Sequence, residues 1–261
     1  MADGTVIELL QFRHSPYNEK VRWALDLKRV AHRRRSLLPG PHMAIVKPLT
    51  GRTTTPVIRH DGGATDGSAR LIEWLDARWP EPRLLPADPG QRDEALRIQR
   101  WFDDEITPRI RRTVLDALLA SPDYFARVFA DGRPRWQQWA YACAVPLAAP
   151  LIRKGNGITG AAAIEDGHAA AREALDFVAS RCAGSGYLVG AVFTLADLTA
   201  ASTLAVLARP AHSPMTAPQP VHRAFAALMA RYDSHPAIAW TRTIYARHRV
   251  AGGDFDGASK A

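Results

Sequence analysis

A cluster of prolines divides this sequence into two unlike parts. Four prolines fall in the short segment that follows Trp79. Because proline fixes φ and lacks an amide donor, neither a helix nor a strand ladder continues through such a segment. We therefore predict a linker there. The predicted divisions are a first domain over residues 1–80, a linker over residues 81–90 and a second domain over residues 91–261.

The first part of the chain alternates between strand-like and helix-like patterns. Short apolar runs bounded by polar or glycine residues predict strands, and apolar residues on one helical face predict amphipathic helices. The second strand contains Arg33, Arg34 and Arg35, for which we expect outward positions, and Asp61-Gly62-Gly63 is typical of a turn after the third. Strands are predicted over residues 6–12, 30–37 and 55–60, and helices over residues 16–27 and 68–78.

The second part of the chain has a helical pattern throughout. Apolar residues recur every four positions, and no alternation of apolar and polar residues indicates a strand. The sequence therefore predicts an α/β domain followed by an all-helical domain. The clearest apolar series is Ile98, Phe102, Ile106, Ile110, Val114 and Leu118.

The cysteines and histidines argue against a metal centre. Cys143 and Cys182 are the only cysteines, and neither belongs to a CxxC motif. The nine histidines include no HxxxH or HExxH pair. Because protein metal sites and disulfide frameworks need clusters of such residues, we expect neither in this chain.

The positive net charge of the chain comes from arginine. Lys+Arg number 34 and Asp+Glu number 26, which gives +8, and five lysines leave 29 arginines. Guanidinium groups bind phosphate and carboxylate alike, so this charge suits a nucleic acid or a small anion. Arg33-Arg34-Arg35 is the only run of three and no nucleic-acid-binding motif is present, so we expect no nucleic-acid partner.

The sequence offers no segment of the kind that enters a membrane. The most apolar stretch, residues 139–152, is broken by Pro146 and Pro150 and is shorter than the roughly 20 residues of a membrane span. The first residues turn polar too soon for a secretory signal. We therefore expect a cytoplasmic protein with no transmembrane helix and no membrane partner.

Ser15 and Pro16 open the first predicted helix. Serine is a favoured N-cap and proline a favoured first helical residue, so helix capping alone explains the pair. A helix N-terminus that carries a hydroxyl also stabilises an anion such as a thiolate. On these residues alone, both interpretations stay open.

Two further motifs flank the third predicted strand. Thr55-Pro56 enters the strand, and a cis bond there would present the Thr55 backbone to an extended peptide ligand. Asp66 and Ser68 follow the strand, where a hydroxyl and helix N–H groups suit a carboxylate and an acid suits an ammonium group. A turn and a helix cap are the simpler alternatives.

Two other motifs, both in the helical part, predict features of folding only. The GxGxxG match at residues 155–160 has no strand before it, so we interpret it as a loop. Thr194 with Asp197 three residues later, between apolar neighbours, is typical of a capping box.

In their order and spacing, these motifs resemble the soluble glutathione transferase family over about residues 6–245. That family joins a thioredoxin-like N-terminal domain to an all-helical domain with such a capping box. By this resemblance, Ser15 faces the sulfur of glutathione, as in members with a Ser-type site. Thr55 would hold the cysteinyl backbone before Pro56, the cis-proline. Ser68 would take the γ-glutamyl carboxylate.

The chain departs from the family pattern at two places. The family usually has Glu, Gln or Asp immediately before the serine at position 68, whereas this chain has Gly67 there and Asp66 one position earlier. By resemblance Asp66 is the candidate for the γ-glutamyl ammonium group. Redox members of the family carry cysteine where this chain has Ser15. Dithiol relatives carry a second cysteine where this chain has Asn18. The resemblance therefore disfavours disulfide exchange through an enzyme thiol.

The resemblance implies a glutathione transferase in which Ser15 and the adjacent helix N-terminus activate the glutathione thiol as a thiolate for attack on a small electrophile. Glutathione is then the cosubstrate, no metal is needed, and a homodimer and a role in detoxification are expected. Ligand binding or assembly without catalysis is the alternative. The expected acceptor pocket is lined by Phe12, Arg13, His14, Arg109, Arg112 and Thr113.

Overall fold

The computed structural model describes residues 7–249, so the predicted start of the first strand at Val6 lies outside the described residues. The N-terminal part contains the strands β1 (Glu8–Gln11), β2 (Arg33–Ser36), β3 (Val57–His60) and β4 (Gly63–Asp66). They form one sheet in the order β2-β1-β3-β4. β1 and β2 are parallel, whereas β3 is antiparallel to both β1 and β4.

The three predicted strands are present but shorter, and β4 is an addition that the sequence pattern does not predict. Its residues Gly-Ala-Thr-Asp carry no apolar alternation, and the strand forms because the turn at Asp61 and Gly62 folds the chain back along β3. The prediction of outward arginines in β2 is wrong for Arg34. That side chain is buried and paired with Asp26.

Three helices accompany the sheet: α1 (Pro16–Leu27), α2 (Met43–Thr50) and α3 (Ser68–Arg78). The bounds of α1 and α3 confirm the predicted ones. α2 is not predicted by the sequence pattern, because it is short and contains Pro48, a residue that usually indicates a break. No helix or strand occupies the proline-rich segment between Arg78 and Pro89.

The rest of the described chain is helical. Among residues 7–249 no strand follows β4, which together with the four-stranded sheet confirms the predicted fold class. None of the described helices is long and apolar enough to cross a membrane. The helices are α4 (Pro89–Trp101), α5 (Thr107–Leu119), α6 (Pro122–Phe129), α7 (Arg135–Gly155), α8 (Ala161–Arg181), α9 (Leu195–Ala208), α10 (Arg223–Ala230) and α11 (Pro236–His248).

A π-helical turn, Phe102–Ile106, joins α4 to α5. The apolar residues from Ile98 to Leu118 recur every four positions, whereas an α-helix has 3.6 residues per turn. The π-helical turn contains more residues per turn, so it keeps these apolar residues on one buried side. On the other side the turn meets α1. The Tyr17 hydroxyl donates to the Asp103 carbonyl at 2.6 Å, and Lys20 Nζ lies 2.5 Å from the Asp103 carboxylate. The turn therefore fastens α1 to the helical part.

The two folding motifs predicted in the helical part are both present. Residues 156–160 form the loop between α7 and α8. Thr194 caps α9, with its hydroxyl accepting from the Ala196 N–H at 3.3 Å, and the Asp197 carboxylate accepts from the Thr194 N–H at 2.9 Å. Asp197 also accepts from the Leu188 N–H at 2.8 Å, so the cap anchors the preceding loop.

Buried ion pairs hold the other side of α1. Glu19 accepts from Arg22 and Arg249, each at 2.8 Å. Asp26 accepts from Arg34 and, at 2.7 Å, from Arg249. All five side chains lie in buried residues. Because Arg249 directly follows α11, these pairs join the last described helix to the first.

We expect Glu19→Gln to lower the free energy of unfolding by about 3 kcal/mol, because the variant leaves the buried Arg22 guanidinium group without its charge partner and removes one of the two carboxylates that bind Arg249. Urea unfolding measures this change. Glu165→Gln is the matched control, since the pair of Glu165 with Arg172 is solvent-exposed and its loss leaves the unfolding midpoint unchanged. Equal midpoint shifts in the two variants would contradict this role of Glu19.

Candidate functional site

Ser15 lies at the N-cap of α1 with an extended backbone (φ −127°, ψ 125°). Its carbonyl accepts the first helical hydrogen bond, from the Glu19 N–H at 2.8 Å. The Ser15 side chain makes no capping hydrogen bond, and Pro16 needs none at the first helical position. Ser15 thus occupies the cap position while its half-buried hydroxyl remains available to a ligand.

A side chain of α1 that the sequence analysis does not assign to the site reaches the second motif. The Asn18 amide donates to the Thr55 hydroxyl at 3.1 Å. Asn18 is fully buried, and its Oδ1 has no hydrogen-bond partner among the described residues. The bond between Thr55 and Pro56 is cis. Asn18 therefore connects the first turn of α1, where Ser15 lies, to the residue before the cis-proline.

The sheet brings the third motif next to the second. Val57 of β3 pairs with Asp66 of β4, and the Gly67 N–H donates to the Pro56 carbonyl at 3.3 Å. Gly67 adopts φ +84°, a left-handed conformation that favours glycine. Glycine at position 67, directly before Ser68, fits this backbone geometry.

The Asp66 carboxylate is buried and already faces two cations. Arg70 pairs with one carboxylate oxygen, and Arg52 Nε lies 3.7 Å from the other, Oδ2. That second oxygen has no hydrogen-bond partner among the described residues. Ser68, also buried, begins α3 directly beyond Gly67. Asp66 can thus accept one further donor, and two guanidinium groups lie near the N-terminus of α3.

The two residues beside Ser15 and Pro16 carry no charge near neutral pH. Burial, followed by the charges of Arg13, Arg22 and Arg209, lowers the pKa of His14 to about 3. Burial raises the pKa of Tyr17 well above its usual value, and its hydroxyl is occupied by the Asp103 carbonyl. Neither side chain therefore supplies a cation or a free hydroxyl in place of Ser15.

A small cavity of about 30 Å³ lies between His14 and the helical part. His14 Nε2 is shielded from solvent and has no hydrogen-bond partner in the described chain. Arg209, directly after α9, lines the same cavity, and no carboxylate between residues 7 and 249 pairs with it. The remaining lining residues are apolar: Val114, Leu118, Val128, Ala205, Val206, Met215, Ala217 and Phe225.

The expectation that Arg109, Arg112 and Thr113 line the acceptor pocket is wrong. Arg109 and Arg112 both pair with Asp166 of α8, at 2.7 Å and 2.8 Å. Thr113 is buried and would clash with a side chain at Gly167 of α8, which shows that it also faces that helix. The apolar residues that recur every four positions in α5 predict its buried side, but they do not show which polar residues of α5 face α8.

Of the loop residues in that expectation, His14 lines the cavity. Arg13 pairs with Asp131 at 2.8 Å, and the Phe12 ring packs edge-on against His42 at 4.7 Å between ring centroids. Sequence reasoning misses Arg209, because a basic residue after a helix is an ordinary C-terminal feature.

Two other observations bear on ligands. A wider, shallow depression of about 640 Å³ lies between the start of α4 and the end of α8, and no predicted site residue lines it. Among the described residues, no group of three or more His, Cys, Asp or Glu side chains is arranged to hold a metal ion.

Comparison with known proteins identifies two family domains in the chain. Residues 9–83 match the glutathione S-transferase N-terminal domain, and residues 161–232 match the C-terminal domain of the same family. A probable glutathione S-transferase of Nicotiana tabacum is 29% identical over 38% of this chain and 45% of its own length. Glutathione S-transferase U13 of Arabidopsis thaliana is 25% identical over 51% of this chain and 58% of its own length. The chain thus spans about half the length of these relatives.

Solved structures share the fold over nearly the whole chain. A glutathione S-transferase of Rhodospirillum rubrum is 20% identical with a TM-score of 0.59, covering 93% of this chain and 89% of that one. One from Methylobacillus flagellatus, solved with glutathione bound, is 20% identical with a TM-score of 0.58, covering 91% and 93%. Since the two matched domains together cover more than half of the sequence, this chain belongs to the glutathione S-transferase family.

Proposed function

We propose that this protein is a glutathione transferase that binds glutathione where Ser15, Thr55, Pro56, Asp66 and Ser68 converge. The observation that carries the proposal is the uncommitted Ser15 hydroxyl at the N-terminus of α1. A hydroxyl donor and the positive end of a helix both favour a thiolate over a thiol. Lowering a thiol pKa from about 8.5 by two units corresponds to roughly 2.7 kcal/mol of preferential stabilisation.

The cysteinyl backbone and the γ-glutamyl end of the tripeptide each have a candidate partner. The Thr55 backbone beside Pro56 would pair with the cysteinyl backbone in an extended conformation. Ser68 and the N-terminus of α3 would bind the γ-glutamyl carboxylate, and the unbonded Oδ2 of Asp66 would accept the ammonium group. Arg52 and Arg70 add positive charge for an anionic ligand.

The cavity beside His14 has room for about one water-sized group, so it would receive an anionic oxygen of the second substrate rather than its reactive carbon. Its lining is apolar apart from neutral His14 and Arg209, which pairs with no carboxylate among residues 7–249. An apolar electrophile that carries a carboxylate or another anionic oxygen fits this combination, because a guanidinium group in an apolar setting binds such an oxygen strongly. In the reaction, the thiolate forms a C–S bond and the leaving group departs with the electron pair of the broken bond.

Binding without catalysis is the second candidate function. The observation that favours it is the ion pairing of Asp66 with Arg70 and Arg52, which competes with the ammonium group of glutathione. The third experiment below separates the candidates, because only a catalyst turns over the electrophiles that it uses. We also propose the division into residues 1–80, 81–90 and 91–261, a homodimer, a cytoplasmic location and a role in detoxification.

We expect Ser15→Ala to raise the pKa of the bound glutathione thiol by about one to two units, since a hydrogen bond to a charged group contributes about 1.5–3 kcal/mol. Ultraviolet absorbance of the thiolate, recorded against pH at saturating glutathione, measures this pKa. Tyr17→Phe is the control and leaves it unchanged, because Tyr17 is tied to Asp103. Bound glutathione with the same thiol pKa in Ser15→Ala would exclude Ser15 as the activating residue.

A glutathione analogue without the γ-glutamyl amino group tests Asp66. We expect the wild-type protein to bind this analogue about tenfold more weakly than glutathione, from the loss of one charged hydrogen bond. Asp66→Asn should bind both ligands with similar affinity, as measured by tryptophan fluorescence. The ratio of the two affinities within each protein reports the ammonium contact, because the charge that Asp66→Asn removes from the protein affects the binding of both ligands. A tenfold ratio that persists in Asp66→Asn shows that the ammonium group lies elsewhere.

Two electrophiles with the same chemistry test Arg209. Glutathione displaces chloride both from neutral 1-chloro-2,4-dinitrobenzene and from anionic 4-chloro-3,5-dinitrobenzoate. We expect Arg209→Met to reduce kcat/KM about tenfold for the benzoate and less than about twofold for the neutral compound, because only the benzoate loses a charged partner. Equal losses for both electrophiles would rule out a contact between Arg209 and the carboxylate.

A further inference from the structure

The loop before β3 is held in place by side chains rather than by its backbone. Residues 52–55 make no hydrogen bond from backbone to backbone among residues 7–249. His42 Nε2 lies 2.8 Å from the Thr53 carbonyl, and the Asn18 amide donates to the Thr55 hydroxyl at 3.1 Å. The Thr55 backbone is therefore available to a ligand, and its position depends on a side chain of α1.

Asn18 is an unusual residue to find at a fully buried position. Its exposed fraction is 0%, whereas asparagine is mostly a surface residue. A side-chain amide offers two donor hydrogens and a carbonyl oxygen. In the described part of the chain it bonds to Thr55 while its Oδ1 has no partner. A half-satisfied buried amide costs stability relative to an apolar side chain of the same shape, so the fold alone does not favour asparagine here.

The polar neighbours of Asn18 in the first turn of α1 serve the fold. Tyr17 and Lys20 both bond to Asp103 of the π-helical turn. Glu19 belongs to the buried ion pairs that hold the other side of α1. Of residues 17–20, Asn18 is the one whose side chain bonds to the loop before β3. Its hydrogen bond thus leads to the candidate site and not to the helical part.

The position of Asn18 in α1 fixes the loop relative to Ser15. Asn18 is the third residue of the helix, and Ser15 is its N-cap. Three residues advance an α-helix by about 4.5 Å along its axis. The hydrogen bond from Asn18 therefore holds Thr55 at a short and constant offset from the N-terminus of α1. A ligand that contacts both points binds more tightly when that offset is set in advance.

We propose that Asn18 is a positioning residue for glutathione. Its amide holds the Thr55 backbone where this backbone pairs with the cysteinyl backbone while the sulfur reaches Ser15. Asn18 does not touch the ligand, because it has no exposed surface. The inference rests on the proposed function, from which it takes the ligand. It assigns affinity for the peptide backbone to a buried amide, separately from the activation of the thiol by Ser15.

Stability and binding respond differently when this hydrogen bond is removed. Asn18→Leu and Thr55→Val each replace a polar side chain by an apolar one of similar shape, and each leaves the other partner without its hydrogen bond. The double variant leaves neither partner unpaired. A purely structural pair would regain both stability and glutathione binding in the double variant, whereas a positioning pair regains stability alone.

A double-mutant cycle tests the proposal, with the urea midpoint and the glutathione dissociation constant measured for each protein. We expect each single variant to unfold at lower urea than the wild type and to bind glutathione about tenfold more weakly. The double variant should regain the wild-type midpoint and still bind about tenfold more weakly, because both substitutions remove the same contact. S-Methylglutathione should lose the same factor, since the contact concerns the backbone of the ligand and not its thiol.

Asn156→Leu is the matched control. The Asn156 amide also donates one hydrogen bond, to the Ile152 carbonyl at 2.7 Å, but it lies in the loop between α7 and α8. We expect this variant to lower the urea midpoint and to leave the glutathione affinity unchanged. An equal loss of affinity in Asn156→Leu would show that the effect of Asn18→Leu is not local, and would overturn the proposal.

Three results of the cycle would also overturn the role of Asn18: wild-type affinity in Asn18→Leu, recovery of glutathione binding in the double variant, or a hundredfold loss there. Because the double variant has no unpaired partner, it folds even where a single variant does not, and its affinity then decides the question. Failure of the wild type to bind glutathione is a different result. It contradicts the proposed function itself and removes this inference with it.

Discussion

Two buried carboxylates of α1 form ion pairs with three guanidinium groups and hold this first helix in place. The rest of the structure depends on the position of α1. Glu19 and Asp26 bind Arg22, Arg34 and Arg249, which come from three separate parts of the chain. Each carboxylate binds two of these arginines, and removing either carboxylate leaves a buried guanidinium group, Arg22 or Arg34, without that partner. The network therefore ties the sheet and the last described helix to α1, whose N-terminus is the centre of the candidate site.

The arginine excess acquires a structural meaning from these contacts. Many of the described arginines are engaged with acids, as in the pairs of Arg109 and Arg112 with Asp166, so part of their charge is neutralised within the fold. The positive charge that bears on the proposed function is local: Arg52 and Arg70, which face Asp66 near Ser68, and Arg209 beside the cavity. A chain with a formal charge of +8 thus places a few guanidinium groups where a small anionic ligand would bind.

The sequence predicts some of these features well and others not at all. The bounds of α1 and α3 follow from local signals, so the prediction succeeds there. Ser15 and Pro16 mark the start of α1, and Pro80 lies just beyond the end of α3. β4 and α2 lack local patterns and depend on pairing and packing. The contact from Asn18 to Thr55 and the position of Arg209 join residues far apart in sequence, which one-dimensional spacing does not reveal. Gly67 is visible in the sequence as a departure from the family pattern, but its positive φ is known only from the structure.

Proton release on glutathione binding tests the central claim, that the N-terminus of α1 converts the bound thiol to a thiolate. Titration calorimetry at pH 7 in two buffers of different ionisation enthalpy counts the protons released by glutathione and by S-methylglutathione, which has no thiol proton. A bound thiol pKa about two units below 8.5 predicts that glutathione releases roughly 0.7 proton more than its methylated analogue. Equal proton release by the two ligands, or no binding of glutathione at millimolar concentration, would contradict the account.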